Sequence, residues 1–133
     1  MDLFDDDLEQ FLIKNEQKLD EKIICLFAEQ IARAVNYLKY QYSIAHRDVK
    51  PSNIFVRKSQ KTNKYELKLG DFDTAKYFKD RVSTDNPIGT PFYFSNELAL
   101  AYNKGSGLSY NPFISEIFTL GINFIRMMIS LAH

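Results

Sequence analysis

The sequence predicts a mainly α-helical protein with one small β-hairpin, an α+β fold built around a single core. Two amphipathic helical patterns come first, two short runs rich in aromatic and branched residues follow, and the most apolar stretch comes last. A chain of 133 residues is long enough for one domain. Apolar residues make up 45% and charged residues 26%, which is typical of a globular protein.

The first part of the chain predicts two helices. Residues 6–15 place three large apolar side chains on one face, as in a short amphipathic helix. Asp6 and Asp7 suit its N-terminus, which favours negative charge. Asp20 is a suitable cap for a second helix that continues to about Lys39, because apolar residues recur there at intervals of three and four.

The middle of the chain predicts a hairpin and then a long loop. Residues 54–57 and 65–69 predict two short strands, which the polar linker 58–64 would join. Residues 71–112 contain three of the four prolines and predict a long ordered loop with one helix near 95–102. Loops of that length inside a compact domain are usually functional.

The last part of the chain predicts a long helix from about Ser115. Residues 113–132 are apolar and about as long as a membrane span. They contain Glu116, Asn123 and Arg126, however, and charges in the middle of a span are costly. A buried core helix is therefore the favoured interpretation, and no membrane partner is expected.

Charge and cysteine content bear on two questions: whether the protein binds nucleic acid, and in which compartment it acts. Lys plus Arg equals Asp plus Glu, at 17 each, so the chain has no excess of positive charge of the kind that binds nucleic acid. A nucleic-acid partner is therefore not expected. Cys25 is the only cysteine, which excludes an internal disulfide and fits a reducing compartment. The acidic start does not resemble a signal peptide. We expect an intracellular protein, cytoplasmic or nuclear.

The residues that carry chemistry lie in a segment predicted as a short strand followed by a loop. Residues 46–53 read His-Arg-Asp-Val-Lys-Pro-Ser-Asn. Asp48 can accept a proton from an attacking hydroxyl, and Lys50 can meet a phosphate as a point charge. Asn53 and Asp71 offer oxygen ligands of the kind that Mg²⁺ prefers. Phosphoryl transfer requires this combination of positioning and charge neutralisation.

This pattern, His-Arg-Asp-x-Lys-x-x-Asn followed by Asp-Phe, resembles the signature of the protein kinases. Residues 89–97 resemble the substrate-facing loop of that family, and residues 116–121 resemble the start of the central helix of its C-terminal lobe. The resemblance covers nearly the whole chain. It implies a truncated protein-kinase-like C-lobe in which residues 1–133 form a partial domain, from the hinge to the central helix, with the N-lobe absent.

The resemblance implies a role for each matching residue of the catalytic centre. Asp48 would be the catalytic base and Lys50 would contact the transferring phosphate. Asn53 and Asp71 would hold Mg²⁺, while Lys50 and these two residues would bind the nucleotide. Phe55 would lie under the adenine of ATP.

The resemblance also implies regulatory and substrate-binding residues. Arg47 would pair with a phosphorylated residue of the activation loop, for which Ser83 and Thr84 are the candidates. Gly89 and Thr90 would contact the protein substrate, and Thr90 also points to Ser/Thr rather than Tyr specificity.

Other positions concern the junction of the two lobes and the departures from the family pattern. His46 and Phe72 would stack in the apolar column between the lobes, and residues 1–4 would form the hinge. Asp73 replaces the Gly of Asp-Phe-Gly, where Gly gives backbone freedom. Glu116 replaces an Asp of the central helix and adds one methylene at a buried hydrogen-bonded position.

The implied activity is transfer of the γ-phosphate of ATP to a Ser or Thr hydroxyl of a protein substrate, with ATP and Mg²⁺ as cofactors. The 133 residues contain no Gly-rich loop and no Lys in a Val-Ala-Ile-Lys context. The isolated chain is therefore expected to be inactive and to need the missing N-lobe or an unknown protein partner. The alternative is a non-catalytic, pseudokinase-like interaction module, which the missing lobe favours and the retained catalytic residues disfavour.

Overall fold

The structure, a computed structural model, describes residues 4–15, 19–79, 83–104 and 108–129. Within these ranges the chain forms four α-helices and five short strands. In chain order they are β1 (Asp6–Asp7), α1 (Leu8–Lys14), α2 (Glu21–Tyr42), β2 (Ile44–Ala45), β3 (Ile54–Lys58), β4 (Tyr65–Leu69), β5 (Lys76–Tyr77), α3 (Asn96–Lys104) and α4 (Pro112–Ile129). The prediction of a mainly helical fold with a small hairpin is confirmed.

The predicted cap on the second helix is present, and the first helix is capped in the same way by Asp7. The carboxylates of Asp7 and Asp20 each accept a hydrogen bond from the backbone N–H three residues further on, at 2.8 and 2.9 Å. The predicted end of the second helix at Lys39 is too early, because α2 continues to Tyr42. It ends at Ser43, whose left-handed backbone (φ 52°) closes the last turn.

The strands form two small antiparallel sheets. The predicted hairpin is present, with β3 and β4 paired from Ile54 opposite Leu69 to Lys58 opposite Tyr65. The first residues of the predicted first helix instead form β1, which pairs with β3 and extends the hairpin to three strands. β2 pairs with β5, a strand inside the predicted long loop. Two-residue strands have no period of their own, so the sequence pattern did not reveal β1 or β5.

The main core lies between α1, α2, the hairpin and α4. The apolar stripe of α2 supplies much of it, as its spacing predicted. The buried residues of this main core are Leu8, Leu12, Leu19, Ile24, Phe27, Ile31, Val35, Val49, Ile54, Val56 and Met127. This core contains the start of β3 and the inner face of α4. The end of β2, Ala45, packs in a separate small cluster with Phe78 and Phe113, and the candidate site lies where these three elements meet.

α4 begins earlier than predicted. It starts at Pro112, not near Ser115, because proline is tolerated in the first helical turn and Asn111 caps that turn. The side-chain oxygen of Asn111 accepts bonds from the N–H groups of Phe113 and Ile114, at 3.0 and 3.2 Å. By length and composition α4 could cross a membrane, but its inner face packs against the other elements as a core helix does.

Candidate active site

His46 begins the loop that carries the predicted catalytic residues, and it is completely buried. Burial lowers the pKa of its imidazole, partly offset by the bond to Gly70 and the charges of Asp48 and Asp71. Both nitrogens of the neutral ring form hydrogen bonds: Nε2 donates to the Gly70 carbonyl at 2.9 Å, and Nδ1 accepts the Asp48 N–H at 3.3 Å. Phe72 meets this ring edge-to-face, at 5.0 Å between centroids, instead of stacking parallel to it.

Asp48, Lys50 and Thr90 form a compact polar cluster. The Thr90 hydroxyl donates to Asp48 Oδ1 at 2.7 Å, and Lys50 Nζ donates to the same hydroxyl at 2.9 Å. Lys50 Nζ also lies 3.4 Å from the other Asp48 oxygen. A carboxylate, an ammonium group and a hydroxyl from two distant segments of the chain are thus in direct contact.

Asn53 joins this cluster from the other side. Its side-chain nitrogen donates to the Asp48 carbonyl at 2.9 Å and to Asp48 Oδ2 at 3.2 Å, which leaves its side-chain oxygen for another partner. The Asn53 carbonyl accepts the N–H of Gly70 at 2.9 Å, and Gly70 immediately precedes Asp71. The two predicted metal ligands, Asn53 and Asp71, therefore lie on neighbouring backbone segments, and the Asp71 side chain is exposed.

Three residues around the site have a left-handed or similarly restricted backbone. Arg47 (φ 68°) and Asp71 (φ 55°) are not glycines, and such conformations cost about 1–3 kcal/mol each and cluster at active sites. Gly89 has φ 131°, and a Cβ there would lie 2.7 Å from the Arg47 carbonyl oxygen, so only Gly fits. Asp73, in the position of the family's Gly, does not have a positive φ. An Asp is thus compatible with this conformation.

Polar side chains on one face of α4 form hydrogen bonds to the loops that carry the candidate site. Residues at successive turns of this face bond to the backbone of the loops above: Glu116 accepts the Arg47 N–H at 2.8 Å, Thr119 donates to the Tyr93 carbonyl at 2.9 Å, and Asn123 donates to the Val49 carbonyl at 3.1 Å. Glu116 and Asn123 are at most 3% exposed. α4 therefore fixes both the catalytic loop and the segment that carries Thr90.

Glu116 is the most perturbed carboxyl group in the described part of the chain. Burial raises the pKa of its side chain from 4.5 to about 7, although the Arg47 N–H and charge favour the ionised form. Its second oxygen, Oε2, is buried and has no hydrogen-bond partner among the described residues. The longer side chain thus reaches the loop, but it leaves one oxygen in the core without a partner among the described residues, which is costly.

The Arg47 guanidinium, predicted to meet a phosphate, is largely enclosed. Its Nε donates to the Thr74 carbonyl at 2.7 Å, and the group lies over the Phe78 ring. Its Nη1 is buried without a partner among the described residues, and Arg47 and Glu116 line a cavity of about 20 Å³. That volume admits about one water molecule and is too small for a phosphate. Pairing of Arg47 with a phosphorylated residue stays a prediction that would require this region to open.

The two candidate phosphorylation sites differ sharply. Thr84 is 8% exposed, and its backbone N–H and carbonyl both bond to Tyr110 at 2.9 Å. Ser83 is exposed and lines a pocket of about 360 Å³ together with Lys76 and Lys79. A phosphate on Ser83 would lie in a pocket that these two lysines share with Asp85, whereas one on Thr84 would have to break the bridge to Tyr110.

Phe55, the predicted floor of the adenine site, is 38% exposed and lies on β3, the middle strand of its sheet. Its ring packs so closely over Gly70 that a Cβ there would lie 2.6 Å from a ring carbon. Phe4 meets it edge-to-face at 6.3 Å. The rest of the predicted hinge, residues 1–3, lies outside the described residues.

Sequence reasoning gave no role to several residues that support the predicted catalytic ones. Asn123 and Thr119 had no predicted role, and neither did Thr74, whose hydroxyl donates to the His46 carbonyl at 2.9 Å. One signal was available: Glu116, Thr119 and Asn123 recur at i, i+3 and i+7, which places three polar residues on one face of a predominantly apolar helix.

Comparison with known proteins assigns this arrangement to a family. The family described as "Protein kinase domain" matches residues 1–132. The chain is 36% identical over 113 residues to the serine/threonine-protein kinase Nek3 of Oryza sativa subsp. japonica, covering 85% of this chain and 17% of that protein. It is 30% identical over 118 residues to the "Probable cell cycle serine/threonine-protein kinase CDC5 homolog" of Encephalitozoon cuniculi (strain GB-M1), covering 89% and 23%.

A solved structure shows the same fold. The crystal structure of the yeast RNA Pol II CTD kinase CTDK-1 complex contains a chain that superposes with a TM-score of 0.79 at 24% identity, covering 97% of this chain and 38% of that one. The chain thus spans about a fifth of the length of these two curated relatives. Fold, motif and relatives agree: the chain belongs to the protein kinase family and is similar to its serine/threonine-specific members.

Proposed function

We propose that these residues are the catalytic half of a serine/threonine protein kinase, which transfers the γ-phosphate of ATP to a protein hydroxyl. One observation carries the proposal: the Thr90 hydroxyl donates to Asp48 while accepting from Lys50. A substrate hydroxyl beside the same two groups would find an acceptor for its proton and a cation next to the oxygen that attacks. Both are required in phosphoryl transfer.

The side chains divide the chemistry between them. Asp48 would orient the substrate hydroxyl and accept its proton as the oxygen attacks phosphorus, and the leaving group is ADP. Lys50 would neutralise charge on the transferring phosphate. Asn53 donates to both the backbone carbonyl and the carboxylate of Asp48, and so holds the carboxylate in one orientation relative to its own backbone. Thr90 holds Lys50 and Asp48 together, and it would share them with the substrate.

Protein kinases generally use ATP with Mg²⁺, and the residues present here fit that ion. The Asn53 side-chain oxygen is not used by the bonds to Asp48, and Asp71 offers an exposed carboxylate from the neighbouring segment. Two oxygen donors, with waters and phosphate oxygens completing the shell, are what Mg²⁺ prefers. Asn53 and Asp71 would hold the ion, which would supply positive charge to the phosphates.

We also propose that residues 1–133 do not transfer phosphate by themselves. Their groups contact only one side of the nucleotide, and a misplacement of about 1 Å can cost roughly a hundredfold in rate. A Gly-rich lobe, or a protein partner that replaces it, would supply the other side. The exposed free Cys25 and the use of ATP favour action inside the cell, in the cytoplasm or nucleus.

The test is a chimera in which the N-lobe of the rice Nek3 relative is joined ahead of Phe4. The chimera should phosphorylate Ser/Thr peptides, and Asp71→Asn should lower the rate at least about a hundredfold, because metal stabilisation is worth several kcal/mol. Asp73→Asn, an equally exposed carboxylate two residues away, is the matched control and should stay within a few-fold of the parent. Equal rates for the two variants would refute the metal assignment.

A different outcome would favour the interaction module. If the folded chimera binds Mg²⁺–ATP but transfers no phosphate, while the N-lobe donor kinase is active under the same conditions, the catalytic proposal fails.

A further inference from the structure

Two polar atoms of opposite charge are buried beside the candidate active site without a partner among the described residues. They are Nη1 of Arg47 and Oε2 of Glu116. Glu116 is only 3% exposed, so bulk solvent does not hydrate its second oxygen. Leaving buried donors and acceptors without hydrogen bonds is costly, most of all when they belong to charged groups. A third group that bonds to both atoms would remove this cost.

Both residues line the same small cavity, whose volume is about 20 Å³. That volume exceeds the roughly 10–15 Å³ that one water molecule needs. Neither atom has a hydrogen-bond partner in the described part of the chain, so no hydrogen bond joins the guanidinium to the carboxylate directly. The cavity therefore has room for one bridging molecule of the size of water between two groups that require a bridge.

The chemistry of the two groups determines what the cavity binds. A guanidinium only donates hydrogen bonds and repels cations, whereas a carboxylate only accepts hydrogen bonds and repels anions. A metal cation is disfavoured by Arg47 and an anion by Glu116. The occupant has to be neutral, accept from an N–H group and donate to an oxygen. Water has all three properties.

Tyr110 can provide a third hydrogen bond to a water in this cavity, which it also lines. Its hydroxyl donates to the Asn86 carbonyl at 3.1 Å, so its oxygen can still accept a bond. Burial raises the pKa of this phenol and the charge of Arg47 opposes the rise, because the guanidinium lies nearby. Buried waters typically make about three hydrogen bonds, and three groups are present.

We propose that this cavity binds one water molecule, which accepts a hydrogen bond from Arg47 Nη1 and donates one to Glu116 Oε2, and so holds the Arg47 guanidinium against α4. The water site follows from the buried contacts alone, but its regulatory consequence rests on the proposed kinase function. Arg47 is the residue predicted to pair with a phosphorylated residue. To do so it has to exchange this water, and the Thr74 carbonyl that Nε contacts, for the phosphate.

The first test determines whether the water is present. A crystal structure of the 133-residue chain at pH 8, above the raised pKa of about 7 of Glu116, should show a water within about 3.2 Å of both atoms. Oxygen-17 relaxation dispersion counts long-lived buried waters in solution. Val49→Ile adds a methylene at the cavity wall and should lower this count by one. Val56→Ile, the same change at an equally buried valine of β3, should leave the count unchanged.

The second test measures how firmly Arg47 is held. Phenylglyoxal modifies accessible arginines, and mass spectrometry of the digested chain gives a rate for each. Modification of Arg47 should become at least about tenfold faster in Val49→Ile, because the loss of one hydrogen bond to a charged group corresponds to about that factor. Val56→Ile should match the parent. Arg33, whose side chain is 78% exposed, is the reference within each sample.

Glu116→Gln is a second variant for this measurement. Gln cannot present acceptors to both the Arg47 N–H and the water, so Arg47 should again react several-fold faster, whereas the exposed Glu97→Gln should have no effect. This variant and the parent crystal structure decide the question even if Val49→Ile fails to fold.

The proposal is overturned if the crystal structure shows no water between the two atoms, or shows them in direct contact. It is also overturned if Arg47 reacts equally fast in the parent and in the folded variants, because the water would then not hold the guanidinium. Failure of the kinase proposal looks different: the chimera would remain inactive, while the water and the modification rates would be as described.

Discussion

Glu116→Gln should change how the stability of the chain depends on pH. Gln keeps a side-chain oxygen that can accept the Arg47 N–H, but it removes the buried carboxylate. In the parent, the folded-state pKa of Glu116 is raised from 4.5 to about 7. A raised pKa means that the folded state binds the proton more tightly. The stabilising contribution is therefore fully present below pH 4.5 and is lost as the pH rises through 7.

The magnitude follows from the shift. A pKa difference of one unit corresponds to about 1.4 kcal/mol, so the parent should lose about 3 kcal/mol between pH 4.5 and 8 through this group alone. The Gln side chain does not titrate, so the variant does not lose this contribution to its stability as the pH rises. The free energy of unfolding of the variant minus that of the parent should rise by about this amount over the same range. Titration of His46 affects both proteins equally and cancels in the difference.

Urea unfolding followed by circular dichroism at several pH values measures this difference. Glu97→Gln, which removes a carboxylate from the exposed first turn of α3, is the control for the loss of one negative charge at the surface. A Glu116→Gln minus parent difference that stays flat, or falls with rising pH, would show that the Glu116 carboxyl does not titrate as its burial requires.

Three further outcomes are expected. In the active chimera, mass spectrometry should find phosphate on Ser83 and not on the buried Thr84, and Ser83→Ala should lower activity; full activity of a Ser83→Ala/Thr84→Ala double variant would contradict this. Asn123→Leu should reduce the free energy of unfolding by about 1–3 kcal/mol, because it leaves the Val49 carbonyl unpaired, whereas Asn→Leu at exposed position 103 should not. The isolated 133-residue chain should transfer no labelled phosphate from ATP above the level of its Asp48→Asn variant; robust transfer that disappears in that variant would show that the chain is a complete enzyme.

The clustering of the predicted catalytic residues could be anticipated because its signal is local. Asp48, Lys50 and Asn53 lie within six residues of one another, and each has a chemistry that suits phosphate or metal. The helix caps at Asp7 and Asp20 are local signals too. The hairpin could be predicted from two runs of strand-forming residues joined by a polar linker. The structure pairs these runs as the antiparallel strands β3 and β4.

What the sequence did not reveal depends on contacts between distant segments. No local pattern indicates that Asn123 bonds to the carbonyl of Val49, 74 residues away. Nor does it indicate that Thr84 is enclosed by a bridge to Tyr110, so its neighbour Ser83 was an equal candidate. The second oxygen of Glu116 and Nη1 of Arg47 are buried without a partner in the described part of the chain, which becomes visible only when the loop and α4 are placed together.

The attachment of the loop at residues 46–53 to α4 also affects the order in which the candidate active site assembles. Arg47 and Glu116 are 69 residues apart, and Val49 and Asn123 are 74 apart. Contacts of such long sequence separation form late, because the intervening chain must first lose its freedom. On a ribosome, the loop emerges well before α4, and a domain completes its packing only when its partner segments are available. The groups that would handle phosphate therefore stay unpositioned in the nascent chain until α4 docks beneath them.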